Sequence, residues 1–413
     1  MKVKKLFPQK YDPFIVLYFF SLLYYPPLFS TNLLHIVSII GVIYIICNKK
    51  VIYRFEVNEF KRIIGDFLLI VVYLLFVSVV SHSDFSLVIT YLRIIIEIIP
   101  SCYALVCMCE KRDYKKYDFL NLLLITAMLQ GIFSVIIFVV PNAQTIVLEK
   151  AITYGFDAEK YIGFLNRRYF GLSYNLVTYT PVVQGCCFIL GLQLALNRKS
   201  SYYLMLPFIL FSAIINSRSS FVIIGIGMVL LLLYNFRKVV VLRFITAFII
   251  LILFFNQILI KIKEIAPATY SWMTNGINGI YLFLGGHGRT DYFVSLTNWT
   301  SKLPKGIEFI LGIGEMTILG NRYNVATDIG YINYLWMGGI IFLFLINWIF
   351  IKMIWKIYKK EKDRNIRLFL ICIIISILVF NIKMPALLLD EFTILILSIC
   401  IYFNFSNSKG KGD

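Results

Sequence analysis

Six arginines stand apart from the basic clusters of this chain, within or beside apolar stretches: Arg93, Arg167, Arg168, Arg218, Arg289 and Arg322. A guanidinium is a planar, permanently charged fork that grips phosphate groups through paired hydrogen bonds, so this set suits a diphosphate. Each has a plainer reading beside it. Arg93 has Glu97 four residues on, the spacing of an ion pair along one helix face. Arg167 and Arg168 precede Gly171 at the start of an apolar run, where they would equally anchor to lipid phosphate. Arg218 interrupts two apolar runs in the turn Asn216-Ser-Arg-Ser-Ser220, Arg289 follows Gly288 with Asp291 close by, and Arg322 is otherwise a solvated loop residue. Acids are fewer. Asp328 opens the apolar run that continues through Gly330-Tyr-Ile-Asn-Tyr334. It suits an N-cap, or a general base whose pKa is raised by partial burial. Tyr331 is a further candidate for substrate contact, and Asp390-Glu391 form a weaker acidic pair at the mouth of the last apolar run. Asp157 and Glu159 read as solvated.

Other chemistries lack their residues. The chain has no Walker A sequence, no GxGxxG in a strand-to-helix context, no HExxH, no GxSxG and no DxD pair. This disfavours an enzyme that draws on ATP or a nucleotide sugar at the cytoplasmic face. The histidines, His35, His82 and His287, are scattered, and the eight cysteines fall in apolar runs without a CxxC pair. No metal centre and no cofactor is therefore expected, and the cysteines read as small buried apolar residues.

Membrane-spanning helices must position these groups. Of 413 residues 60% are hydrophobic and only 15% charged, against roughly 45–50% and about 25% in a soluble domain. Apolar runs of spanning length lie at 13–30, 33–48, 63–81, 87–109, 118–140, 172–196, 202–217, 220–236, 240–257, 329–351, 367–382 and 386–404. Twelve crossings put both termini on one side. The net charge of +18 would suggest nucleic acid in a soluble protein, but here its placement decides. With the N-terminus cytoplasmic, 27 of the 40 Lys and Arg residues fall in short inside segments, as the positive-inside bias requires. No nucleic-acid partner is expected. The basic Met1-Lys-Val-Lys-Lys start followed by an apolar run lacks a small-x-small cleavage site and reads as an uncleaved first helix. The whole chain, 1–413, forms one transmembrane domain. Two external loops are long, about 141–171 and 258–328, and both are too rich in aromatic and aliphatic residues for disorder. In the second, Phe293, Leu296 and Trp299 recur every three residues, as in a short amphipathic helix on the outer leaflet.

The stretch Gly288-Arg289, Trp299, Pro304, Gly306, Leu311-Gly312-Ile-Gly314, Asp328 and Leu335-Trp-Met-Gly338-Gly339-Ile-Ile341 resembles the large external loop and following helix of the Wzy-type O-antigen and capsule repeat-unit polymerases, relatives of the O-antigen ligases. Asn216-Ser-Arg218-Ser resembles their short Ser-Arg turn, and Arg168 to Asn175 their Arg–Gly-Leu–Asn stretch. These matches cover about a third of the chain. The resemblance implies an all-α, GT-C-like bundle in the bacterial inner (plasma) membrane that polymerises undecaprenyl-diphosphate-linked oligosaccharide units on the outer face. It implies no metal. Arg218 and Arg289 would stabilise the diphosphate leaving group and Asp328 would take the acceptor proton, with Arg93, Arg167, Arg168, Arg322 and Tyr331 binding substrate. Implied partners are the carrier-linked oligosaccharide, membrane lipid, and chain-length regulator and flippase proteins. The ligases carry a histidine near the position of Asp328, which favours polymerase over ligase. A flippase is the reading from a different class, disfavoured by the asymmetric long loops and the lack of an internal repeat.

Overall fold

The computed structural model describes residues 11–26, 33–48, 57–140, 142–153, 168–173, 179–217, 219–234, 245–246, 249, 253, 256–257, 259–271, 273–275, 299–318 and 320–409. Among the described residues there is no strand. In chain order the helices are α1 (Pro13–Tyr24), α2 (Leu33–Cys47), α3 (Val57–Ser81), α4 (Ser86–Lys111), α5 (Lys116–Val139), α6 (Ala143–Thr153) and α7 (Tyr179–Asn197). There follow α8 (Leu206–Asn216), α9 (Ser219–Tyr234), α10 (Ile307–Leu311), α11 (Gly330–Lys360), α12 (Arg364–Phe380) and α13 (Glu391–Lys409). Among the described residues five helices are long and apolar enough to cross a membrane: α3 from Glu59, α4, α5, α7 and α11. The apolar runs at 172–196, 202–217 and 386–404 begin their α-helices later than expected, at Tyr179, at Leu206 after a 3-10 turn (Ser200–Leu204), and at Glu391. The run at 240–257 lies mostly outside the described residues, and residues 259–271, expected as loop, are largely helical.

The burial pattern is that of helices in an apolar solvent. Ile39, Ile43, Val72, Phe76, Phe344 and Trp348 all point outward, while the core is equally apolar. Without water outside, no amphipathic contrast is needed. The axis is α7, whose residues from Tyr179 to Leu196 are all buried. Seven cysteines are buried as expected, whereas Cys47 is exposed at the end of α2.

Side-chain contacts sort the helix ends into two groups. At one end Arg112 pairs with Asp12 (2.6 Å), Lys116 with Glu361 (2.8 Å) and Arg198 with Asp363 (3.9 Å), while Tyr402 donates to the Tyr114 carbonyl (2.9 Å). Lys352 meets Asp66 (3.2 Å) and Lys356 meets Glu59 on the same side. The opposite end collects the non-helical segments 168–173, 312–318, 320–329 and 381–390.

Two breaks shape that second end. In α11 Gly338 (φ −159°, ψ 24°) and Gly339 (φ 67°, ψ −170°) leave helical geometry. The residues before them form a half-helix of two turns, and those after are long enough to span a bilayer alone. Between α12 and α13 the chain runs without helix through 381–390, yet Ala386, Leu387 and Asp390 are buried. Irregular backbone at such a depth persists only where protein groups satisfy it.

Candidate functional site

The loop-rich end is built from polar side chains that point out of helices and into irregular backbone. Gln130 of α5 donates from Nε2 to the Phe170 carbonyl (2.6 Å) and accepts from the Leu172 N–H at Oε1 (3.2 Å). Asn216, the last residue of α8, accepts from the Tyr169 N–H (2.9 Å) and donates to the Ser212 carbonyl (2.9 Å). The segment 168–173 thereby meets the end of α8, although 47 residues separate Tyr169 from Asn216. Gly171 turns the segment with φ +66°, and a Cβ there would lie 2.7 Å from Gln130 Nε2.

The segment ends on a buried carboxylate. Glu391 Oε1 accepts from Ser173 Oγ (2.8 Å) and Thr180 Oγ1 (3.2 Å), the two hydroxyls lying 2.5 Å apart. Its neighbour Asp390 closes the start of α13, accepting from the Thr393 N–H (2.8 Å) and the Leu388 N–H (3.1 Å). Three tyrosine hydroxyls hold the irregular chain just before. Tyr91 donates to the Leu387 carbonyl (2.8 Å), Tyr334 accepts from the Leu387 N–H (2.8 Å), and Tyr179 donates to the Pro385 carbonyl (3.0 Å).

On the other side, the loop around Ile313 and Gly314 docks into the α11 break. The Ile313 and Gly314 N–H groups donate to the Trp336 (2.8 Å) and Met337 (3.1 Å) carbonyls, which the break frees from helical partners. Tyr73 donates to the Gly338 carbonyl (2.7 Å) and Ser81 to the Ile313 carbonyl (2.8 Å). Only glycine fits: a Cβ on Gly339 would run into the Ile310 carbonyl oxygen, and one on Gly312 would sit 2.5 Å from the Gly338 nitrogen. Trp336 Nε1 donates to the Lys302 carbonyl (2.8 Å), extending the seam. Tyr323 donates to Glu308, and that carboxylate raises the Tyr323 hydroxyl above its ordinary pKa.

The residues singled out by chemistry fare differently. Arg167, Arg218 and Arg289 lie outside the described residues, as do Gly285, Gly286 and Gly288 and all of the helix expected at 291–300 except Trp299 and Thr300, which open a 3-10 turn. Arg168 is buried at 9% exposure, and its carbonyl accepts from Gln144. Arg93 forms the ion pair its spacing allowed, forking onto Glu97 (2.9 and 3.1 Å), with His35 Nδ1 3.1 Å from the same carboxylate. A π-helical stretch, Ile94–Ile98, carries Glu97 at this point of α4.

Arg322 is an exposed loop residue, as its plainer reading expects, but it is engaged with protein groups. It binds Glu315 (2.6 Å) and donates to the Ser81 carbonyl (2.7 Å), tying the loop to α3. Tyr331 donates its hydroxyl to the Leu378 carbonyl (2.7 Å). Asp328 corrects two expectations. Its side chain is 56% exposed rather than partly buried, and it pairs with Lys383 (3.2 Å). Nor does it cap α11, whose N-cap residue is Ile329 with no side-chain cap; the Ile329 N–H instead donates to Thr327 Oγ1 (3.2 Å).

Gln130, Thr180 and the tyrosines at 91, 179 and 334 escape a search for charges. Their signal is a hydrogen-bonding group in the middle of an apolar run, which has to meet a partner once buried. No protein-family model matches the chain, and no curated protein matches it significantly.

Proposed function

We propose that this protein polymerises undecaprenyl-diphosphate-linked oligosaccharide repeat units, of O-antigen or capsule type, on the outer face of the bacterial plasma membrane. The growing glycan leaves its diphosphate carrier and joins a sugar hydroxyl of the next carrier-linked unit. Twelve crossings with cytoplasmic termini complete the reading.

The observation that supports this best is that segments carrying the resemblance, far apart in sequence, meet in pairs. Leu311–Gly314 docks on Trp336–Gly339, and the Arg168 stretch bonds to Asn216 beside the Ser-Arg turn. In the proposed reaction the arginines at 168, 218 and 289 hold the diphosphate as its charge grows. Asp328, exposed and oriented by Lys383, takes the acceptor hydroxyl's proton. The C1–O bond to the diphosphate breaks as the new glycosidic bond forms.

Deleting the gene and resolving the surface polysaccharide on a gel tests the reading. A ladder collapsed to a single repeat unit on its acceptor is the expected result. An unchanged ladder overturns it, as does undecaprenyl-linked polymer accumulating unattached, which points to a ligase, or monomeric units retained on the cytoplasmic leaflet, which points to a flippase. Arg218→Ala and Arg289→Ala should each abolish polymer while leaving the protein in the membrane.

A further inference from the structure

The segment 168–173 has no helix or sheet to satisfy its backbone, yet Arg168, Phe170, Gly171 and Ser173 are buried in the bundle. Side chains from four helices hold it instead: Gln144 of α6 donates to the Arg168 carbonyl, and three more act on the residues after it. Gln130 serves a carbonyl and an N–H two residues apart, Asn216 serves the Tyr169 N–H, and Glu391 receives the Ser173 hydroxyl. All three are fully buried. A buried amide that pairs both its donor and its acceptor with backbone fixes position as well as energy, because moving the segment leaves several groups unpaired at once. The contacts fall on residues 169, 170, 172 and 173, immediately after Arg168. Cheaper ways to end a membrane loop exist, since an exposed turn bonds to water. Seating the segment inside the bundle, beside Asn216, instead fixes the position of the Arg168 backbone.

We infer that Gln130, Asn216 and Glu391 are positioning residues of the transfer site: they hold the segment 168–173 so that Arg168 meets the carrier diphosphate in a fixed place. The inference rests on the polymerase reading and joins Gln130, which neither charge nor motif marks, to Asn216 of the Ser-Arg turn and Glu391 of the weaker acidic pair. Gln130 has the largest share because, of the three, it makes two backbone contacts with the segment.

The test uses full-length protein in detergent or proteoliposomes, with an undecaprenyl-diphosphate oligosaccharide as substrate. Gln130→Leu keeps the volume but removes both hydrogen bonds. Gln130→Glu, protonated when buried, still donates and accepts. The expected result is a KM about tenfold higher for Gln130→Leu with kcat changed less, and near-normal kinetics for Gln130→Glu, each measured on the folded fraction. Asn216→Ala, which acts on the same segment from another helix, should raise KM in the same sense and keeps the test open if Gln130→Leu does not fold. Wild-type KM in both Gln130→Leu and Asn216→Ala overturns the inference, and so does equal impairment by Gln130→Leu and Gln130→Glu. Wild-type protein that makes no polymer sinks the underlying reading instead, so the two failures are separable.

Discussion

The two ends of the bundle solve opposite problems. At the basic end charged side chains meet one another near the surface: Arg112 with Asp12, Arg198 with Asp363, Lys352 with Asp66. At the loop-rich end polar side chains meet backbone in the interior, through Gln130, Asn216, Tyr91, Tyr334 and Tyr179. Exposed ion pairs are screened and contribute at most about 1 kcal/mol each. A buried group left unpaired costs about 1–3 kcal/mol, and more if it is charged. Stability and shape at the loop-rich end therefore depend on single residues, whereas the basic end tolerates loss. A site that must hold a fixed geometry belongs where such dependence is strongest.

Substitutions would break or sharpen that contrast, read as the fraction of monodisperse protein surviving a heating series in detergent. Gly339→Ala should be the most damaging, at about 3 kcal/mol or more, because it combines a positive φ with a Cβ driven into the Ile310 carbonyl. Glu391→Leu should come next, costing roughly 2–4 kcal/mol by stranding the Ser173 and Thr180 hydroxyls, while Glu391→Gln should stay within about 1 kcal/mol of wild type. Tyr334→Phe removes one acceptor from the Leu387 N–H and should cost about 1–2 kcal/mol.

The basic end supplies the smallest effects and one exception within it. Arg112→Met should lower stability by less than about 1 kcal/mol, since the Arg112 side chain is 60% exposed. Lys116→Met should exceed it, because its partner Glu361 is only 3% exposed and would be left buried. Equal effects of these two, or an Arg112→Met loss as large as that of Tyr334→Phe, would refute the proposed difference between the ends.

Much of the helical frame is legible in the amino-acid sequence. The apolar runs locate α2, α4 and α5 within about two residues, while α1, α3 and α11 depart from theirs by six to nine residues at one end; a run of about 20 apolar residues has no other stable state in a bilayer. The Arg93–Glu97 pair follows from its spacing. Arg322 and Asp328 are legible as unusual but not as what they do. Arg322 finds its partners at Glu315, seven residues before it, and at Ser81, 241 residues away, while Asp328 finds Lys383 across another loop.

By itself, then, the sequence determined the apolar character of this protein and the helices long and apolar enough to cross a membrane, since these depend on composition and local period. Only the tertiary structure decided which polar residues matter. Gln130 looks like an interruption in an apolar run, and Glu391 like half of a weak acidic pair, until α5, α8 and α13 converge on the segment after Arg168. Gly338 and Gly339 likewise look like two glycines in a helix until Ile313 and Gly314 bond to the carbonyls they free. The reason is physical: hydrophobicity acts over area and is summed along the chain, whereas a buried hydrogen bond needs two partners whose meeting is fixed by the fold.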